Sequence, residues 1–269
     1  MNLNSGVNSF PEHENLKQHV EHLRALLSAL LLKRDALVLV DCKKIETSYM
    51  LEVGQLEYEA YKLQSEVLRA QRKIEMIEDY KKREKAIDLK SIDRHLNREF
   101  DMYEEQLEAQ MDTIDEALER QDRAPVSEEK SKQLNDMYRK ILMALHPDLN
   151  PGISASELAF FNNARAAYEQ ADLDRLEIID NMLGEDVVEN TLESMAVLVR
   201  EEERLTSLIQ ELQFEIEKIK TEYPYIMKKF VQDEEEVFRK KEALRATMAQ
   251  FEDARIRYKA IIRDLLEKA

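Results

Sequence analysis

Apolar residues recur at helical spacing along most of the chain. From Leu56 to Ile77 they follow a 4-3-4-3 spacing, and a second stripe runs from Leu96 to Leu118. This spacing places apolar side chains on one seam of a helix, as in coiled coils. Between the stripes Asp88 can cap a new helix, so the pattern predicts two long helices that fold back as an antiparallel pair.

Two more stripes occupy the last part of the chain. They begin at Leu205 and Val237, and Pro224 separates them. Proline removes a backbone donor and ends a helix, and Asp233 is placed to start a new one, which predicts a hairpin loop near residues 224–232. Because the apolar phase continues across the proline, a single kinked helix is the alternative interpretation.

The composition agrees with a helical architecture. Charged residues make up 36% of the chain, which has four glycines, five prolines and no tryptophan. This profile is typical of long helices and coiled coils. The predicted fold class is all-α, with elongated helical hairpins or coiled coils flanking a small helical module. The predicted boundaries are a disordered tail at 1–11, a first coiled-coil arm at 12–121, the module at 126–184, and a second coiled-coil hairpin at 187–267. Heptads alone do not decide whether the arms fold within one chain or pair in a homo-oligomer.

The central module has the pattern of a helical hairpin. A stripe over residues 134–145 predicts an amphipathic helix that ends at His146, because Pro147 disfavours helical backbone in the residue before it. Ser154 begins a capping box for a second helix. The short, stiff connection between the two helices therefore presents His146, Pro147 and Asp148 at the tip of the hairpin.

These residues resemble the J-domain of the DnaJ co-chaperones. In that family a tyrosine stands eight residues before a His-Pro-Asp loop, as Tyr138 does before His146. The following helix in the family carries a phenylalanine, a small apolar residue and an Ala-Tyr pair at fixed offsets, and this chain matches them. The resemblance covers about 55 of the 269 residues. It predicts a module core formed by Tyr138, Ile141, Leu142, Leu145, Phe161, Ala164 and Tyr168.

The resemblance implies a partner and a mechanism. J-domains bind DnaK-type heat-shock chaperones and stimulate their ATPase. Asp148 would make a charge-assisted contact with the chaperone, while His146 and Pro147 fix the shape of the loop. Hydrolysis would occur on the partner, so the chain is predicted to be no enzyme and to need no cofactor.

Local charge supports the same surface. Residues 130–145 carry four basic side chains and one acidic one, although the chain as a whole has a formal net charge of −16. A basic stripe opposite the apolar face would steer an acidic partner surface toward the loop, whereas a solvated face of mixed charge is the simpler interpretation. The predicted chaperone-binding residues are His146, Pro147, Asp148, Lys132, Arg139 and Lys140.

The chain also departs from the family pattern. The usual first-helix signature, a Tyr-Tyr followed by Leu-Gly-Val, is missing, and residues 111–121 are the expected substitute. No Gly/Phe-rich segment and no Cys-rich zinc module follow, so a client protein or a larger assembly would bind through the arms. The alternative function is a structural or scaffold coiled-coil protein with a degenerate J-domain.

Charge and hydropathy exclude several other classes of function. The strongly acidic balance disfavours nucleic acid and anionic lipid as partners. Charged residues interrupt the apolar stretch 23–40, so no membrane span is predicted, and a helix at a membrane surface is the weaker alternative. Residues 1–10 lack the pattern of a signal peptide, and the single cysteine, Cys42, fits a reducing compartment, so a cytoplasmic location is expected. His19 and His22 could share a helical face, but surface histidines are expected and no metal site is predicted.

Overall fold

The computed structural model describes residues 9–122, 126–183 and 194–267. Within these ranges every regular element is helical and no strand occurs, which confirms the all-α fold class. Helix α1 begins at Ser9, so residues 9–11 of the predicted tail are helical, and the rest of that tail lies outside the described residues. The elements are α1 (Ser9–Asp35), a π-helical segment (Ala36–Asp41), α2 (Cys42–Tyr49), a second π-helical segment (Met50–Gly54), α3 (Gln55–Lys82), α4 (Leu89–Gln121), α5 (Glu128–Leu145), α6 (Ala155–Glu169), α7 (Leu173–Leu183), α8 (Met195–Thr221), a 3₁₀ turn (Tyr225–Met227), α9 (Lys228–Gln232) and α10 (Glu234–Glu267).

The chain divides into two compact units, and both are discontinuous in sequence. Unit 1 comprises Met1–Lys43 and Ala124–Ile226, and unit 2 comprises Lys44–Arg123 and Met227–Ala269. This organisation differs from the predicted one, because each predicted arm contributes helices to both units. The predicted elongated coiled-coil arrangement of the arms stays a prediction.

Helices α3 and α4 pair within unit 2. Lys73 forms an ion pair with Asp93 at 2.7 Å, and Arg72 forms one with Glu99 at 3.2 Å. These contacts lie beside the short connection between the helices, whose polypeptide reverses there as the sequence predicts. The start of α4 is also where the sequence places it, because the Asp88 carboxylate accepts a hydrogen bond from a backbone N–H in the first turn.

Helix α10 also packs on α3, and it does so in parallel. Arg255 donates to Glu66 of α3 at 2.8 Å, and Lys241 pairs with Glu52 of the π-helical segment that leads directly into α3. Both contacts join residues that are 189 positions apart, so the two helices run in the same direction. The hairpin predicted for residues 187–267 is therefore corrected, because α10 takes α3 rather than α8 as its main partner.

The break around Pro224 is present. Helix α8 ends at Thr221, and α10 starts after Asp233, whose carboxylate accepts the Glu236 N–H at 3.0 Å. The stretch between them is a 3₁₀ turn followed by α9 rather than an open loop. The alternative of a single kinked helix is therefore excluded.

Helices α1 and α8 run parallel to each other in unit 1. His19 near the start of α1 lies 3.3 Å from Glu202 of α8. The pKa of Glu217, further along α8, is lowered mainly by a hydrogen bond from Lys220 and in part by Lys33 at the end of α1. A residue later in α1 therefore lies near a residue later in α8, which is the arrangement of two parallel helices.

The apolar stretch 23–40 lies in the core of unit 1. Leu27 and Leu31 are fully buried, and Leu37 and Leu39 of the π-helical segment are nearly so, in one cluster with residues of α5, α6, α7 and α8. Burial on several sides explains why this stretch is apolar on most faces. None of the described helices combines the length and the hydropathy needed to cross a membrane.

Candidate functional site

The His146-Pro147-Asp148 loop forms the turn between α5 and α6. His146 ends α5 with extended backbone, φ −69° and ψ 128°, while its N–H still bonds to the Leu142 carbonyl at 2.9 Å. The loop then closes on itself, because the N–H groups of Leu149 and Asn150 both donate to the His146 carbonyl, at 3.0 and 2.9 Å. Pro147 accounts for the end of the helix, as the sequence predicts.

Side chains of the loop fix both of its ends. The Asn150 amide donates to the Met143 carbonyl of α5 at 2.9 Å. At the other end Ser154 and Glu157 form a complete capping box, in which the Ser154 N–H donates to the Glu157 carboxylate at 2.7 Å and the Glu157 N–H donates to the serine hydroxyl at 3.3 Å. Hydrogen bonds from Ser154 lower the pKa of Glu157. The connection is therefore ordered by local bonds.

All seven residues expected in the core of the module are buried. None is more than 5% exposed, and all belong to one cluster. Ala164 and Ala167 of α6 are fully buried, and such small side chains let two helices approach closely. The seven residues are Tyr138, Ile141, Leu142, Leu145, Phe161, Ala164 and Tyr168.

Aromatic rings connect this core to the loop. The rings of Tyr138 and Tyr168 stack at 4.3 Å with an interplanar angle of 11°, and the Phe161 ring meets the His146 imidazole edge-on at 5.0 Å. The Tyr168 hydroxyl donates to Asn135 at 2.6 Å, and burial raises its pKa to about 12. The base of the loop therefore rests on the packed face of α6.

Tyr138 also joins the hairpin to α1. Its hydroxyl donates to the carboxylate of Asp35 at 2.6 Å, and Asp35 is fully buried. Burial, followed by the charge of Asp35, raises the pKa of Tyr138 well above its usual value. Arg34 donates to the other oxygen of the same carboxylate at 2.7 and 2.9 Å. The buried charge is thus paired and hydrogen-bonded.

His146 is a structural residue of the loop. It is 5% exposed, and burial lowers the pKa of its imidazole below the ordinary value despite the opposing effect of Asp148. The ring is therefore neutral at neutral pH, which leaves Nδ1 free to accept the Asp148 N–H at 3.1 Å. A proton on Nδ1 would abolish this bond.

Asp148 is the accessible polar group of the tip. Its side chain is 42% exposed, and Pro147 beside it is exposed as well. The Asp148 backbone carbonyl accepts a hydrogen bond at 2.7 Å from Arg204 of α8. The loop thus presents a partly exposed carboxylate to solvent, while Arg204 of α8 holds its backbone.

The three predicted basic residues of α5 are exposed. Lys132 and Arg139 are seven positions apart, which is two helical turns, and so lie on the same side of the helix. Lys140 lies 3.7 Å from Asp180 of α7. Because Lys140 is 70% exposed, this ion pair is weak and leaves the charge accessible to a partner.

Sequence reasoning missed the surroundings of the hairpin. Helix α1, and not residues 111–121, packs against α5, so the expected substitute for the first helix is corrected. Asp35 carried a signal, since it is one carboxylate in an apolar run, but nothing in the sequence pointed to its partner. The pairing of Arg204 with Glu201 is local, at a spacing of three residues, but nothing in the sequence pointed to the contact of Arg204 with the loop. Asp172 caps α7 as expected, through the Arg175 N–H at 3.0 Å, whereas the expected closing residue Gly184 lies outside the described residues.

The two histidines in the middle of α1 lie at the surface, as the sequence predicts. His19 is half exposed and pairs with Glu202, while His22 is exposed. In the described part of the chain no group of three or more His, Cys, Asp or Glu side chains could hold a metal ion.

No protein-family model, no curated protein and no solved structure matches this chain.

Proposed function

We propose that this chain is a cytoplasmic J-domain co-chaperone that recruits a DnaK-type heat-shock chaperone and stimulates its ATPase through the His146-Pro147-Asp148 loop. One observation carries the proposal, namely that the first and third residues of the tripeptide have different surroundings. His146 is buried and binds the loop backbone, whereas Asp148 next to it keeps a partly exposed carboxylate. A loop of fixed shape that offers one charged group is suited to docking.

The mechanism requires no chemistry on this chain. The Asp148 carboxylate would form a charge-assisted hydrogen bond with a cationic group of the chaperone, and Lys132 and Arg139 on α5 would meet an acidic surface beside it. Tighter binding to the hydrolysis-competent state of the chaperone would shift its conformational equilibrium toward that state. Neither a cofactor nor an enzymatic activity of this chain is part of the proposal.

The test is ATP turnover by purified DnaK-type chaperones with and without this protein. The wild type is expected to stimulate single-turnover hydrolysis, and Asp148→Asn is expected to reduce the stimulation at least about tenfold, because truncating one partner of a docked charge pair costs about 2–5 kcal/mol. Asp174→Asn is the matched control, since it makes the same change at an exposed position of α7. It is expected to retain full stimulation.

Two results would contradict the proposal. One is unchanged turnover with the wild-type protein across cognate chaperones, and the other is equal stimulation by the wild type and Asp148→Asn. Either would favour the structural or scaffold alternative, in which the helices outside the hairpin bind a client or assembly. A pull-down in which His146→Gln leaves the set of bound proteins unchanged would support that alternative directly.

A further inference from the structure

A side chain of α8 binds the backbone of the loop tip. Arg204 Nη1 donates to the Asp148 carbonyl at 2.7 Å, across a sequence separation of 56 residues. The hydrogen bonds formed within the loop backbone end instead on the carbonyls of His146 and Asn150. Arg204 therefore fixes a peptide group that the local turn leaves to outside donors.

Arg204 is itself held in place by a carboxylate. Its Nε and Nη2 donate to the two oxygens of Glu201, at 2.8 and 2.9 Å, in the bidentate geometry that orients a guanidinium. Glu201 also accepts from Arg24 of α1, at 3.2 and 3.3 Å, and its side chain is only 14% exposed. Two of the three guanidinium nitrogens are thus occupied by Glu201, and the third points to the loop.

The position of this bond matters for the Asp148 side chain. The Asp148 carbonyl belongs to the same residue as the exposed carboxylate, so fixing its peptide plane restricts the backbone that aims the carboxylate. His146 restrains Asp148 as well, because the Asp148 N–H donates to His146 Nδ1 at 3.1 Å. The backbone N–H and C=O groups of Asp148 are therefore held by the side chains of His146 and Arg204, while its own carboxylate stays partly exposed.

We infer that Arg204 is a positioning residue for the docking loop, and that α8 and α1 belong to the chaperone-binding module together with the hairpin. This inference rests on the proposed function and names a residue through which that function acts. Arg204 acts on Asp148 and need not touch the chaperone. Its loss lowers the fraction of molecules whose loop is ready to bind, and apparent affinity falls in proportion to that fraction.

The first arm of the test needs no chaperone. Hydrogen exchange of the full chain is compared between the wild type, Arg204→Gln and Arg200→Gln, a matched change at an exposed residue one turn earlier on α8. The backbone amides of residues 148–150 are expected to exchange about three- to tenfold faster in Arg204→Gln, because local opening becomes easier, and to be unchanged in Arg200→Gln. Unchanged exchange in Arg204→Gln, or equal acceleration in both variants, would overturn the inference.

The second arm titrates the same proteins against a responsive chaperone. Arg204→Gln is expected to raise the half-saturating concentration, by at most the factor of about three to ten by which loop exchange accelerates, while the maximal stimulation is retained, because the competent fraction falls by no more than the open fraction rises. Arg204→Lys, which keeps the charge beside Glu201, is expected to recover part of the affinity. A lowered maximum at an unchanged half-saturating concentration would overturn the inference. If the wild type stimulates no chaperone, the proposed function fails, and the exchange experiment alone decides whether Arg204 holds the loop.

Discussion

At the scale of single residues, Asp35 and Tyr138 show how a buried charge can be accommodated. Burying an unpaired carboxylate is costly, yet Asp35 receives hydrogen bonds from Arg34 and from the tyrosine hydroxyl. The same bond joins two helices that are 103 residues apart in sequence. The position of Tyr138 in a core could be predicted from its helical stripe, but its partner could not, because no periodicity relates residues that far apart.

Removing one hydroxyl tests the strength of this bond. Tyr138→Phe is expected to lower the free energy of unfolding by about 1.5–3 kcal/mol, because the lost bond ends on a charged group. Tyr168→Phe is the matched control, since the rings of Tyr138 and Tyr168 stack on each other and the Tyr168 hydroxyl donates to the neutral Asn135. Its expected cost is about 0.5–1.5 kcal/mol. Chemical denaturation measures both variants, and an equal or larger loss in Tyr168→Phe would contradict the ranking.

At the scale of helices, their ends were predictable and their partners were not. Asp88, Ser154, Asp172 and Asp233 all cap helices where the sequence places them, because a cap is a contact between residues three positions apart. A heptad stripe, by contrast, states which face of a helix is buried and leaves the partner open. Helix α8 accordingly packs in parallel on α1, and α10 packs in parallel on α3. The sequence predicts a hairpin of the two helices instead, because they are neighbours in sequence.

The capping box of α6 makes a prediction with a pH dependence. Ser154→Ala is expected to cost about 0.5–2 kcal/mol at neutral pH. The folded-state pKa of Glu157 is lowered, so its contribution is present above the unfolded value of 4.5 and is lost as the pH falls through the folded-state pKa. The difference between wild type and variant should therefore shrink below about pH 4.5.

The control for this experiment is Ser194→Ala at the start of α8. Ser194 occupies the same N-cap position, but its side chain makes no capping hydrogen bond. Its replacement should cost measurably less than that of Ser154. Thermal unfolding followed at neutral and acid pH provides the comparison, and a pH-independent difference for Ser154→Ala would rule out the role given to Glu157.

At the scale of the whole molecule, the module suggested by the sequence is smaller than the unit that the chain builds. The resemblance covers a hairpin and one further helix, whereas unit 1 adds α1 and α8 to the same core. Contiguous arms were the natural expectation, since elements adjacent in sequence usually pack together. The exchange of segments between two discontinuous units leaves no local mark on composition or periodicity, and so could not be predicted.

Truncation tests whether the hairpin needs these helices. A fragment of residues 126–183 exposes the faces that pack on α1 and α8, and chains of about 60 residues are marginally stable even when complete. This fragment is expected to unfold without a cooperative transition, whereas the full chain is expected to unfold cooperatively. The fragment 126–226, which keeps α8, should be intermediate in helicity. Circular dichroism during heating measures all three, and a cooperative transition of 126–183 at the midpoint of the full chain would contradict the expectation.

The discontinuity of the two units also bears on how the chain reaches its native state during synthesis. Arg24 meets Glu201 across 177 residues, and Arg255 meets Glu66 across 189, so many native contacts are remote for an all-helical protein. Folding slows as the mean sequence separation of contacts rises, because the chain loses the conformational entropy of closing a long loop before the contacts at its ends can stabilise it. During synthesis, the face of α1 that packs on α8 stays exposed until α8 has left the ribosome. A nascent chain of this protein therefore needs shelter from aggregation until its second half has been made.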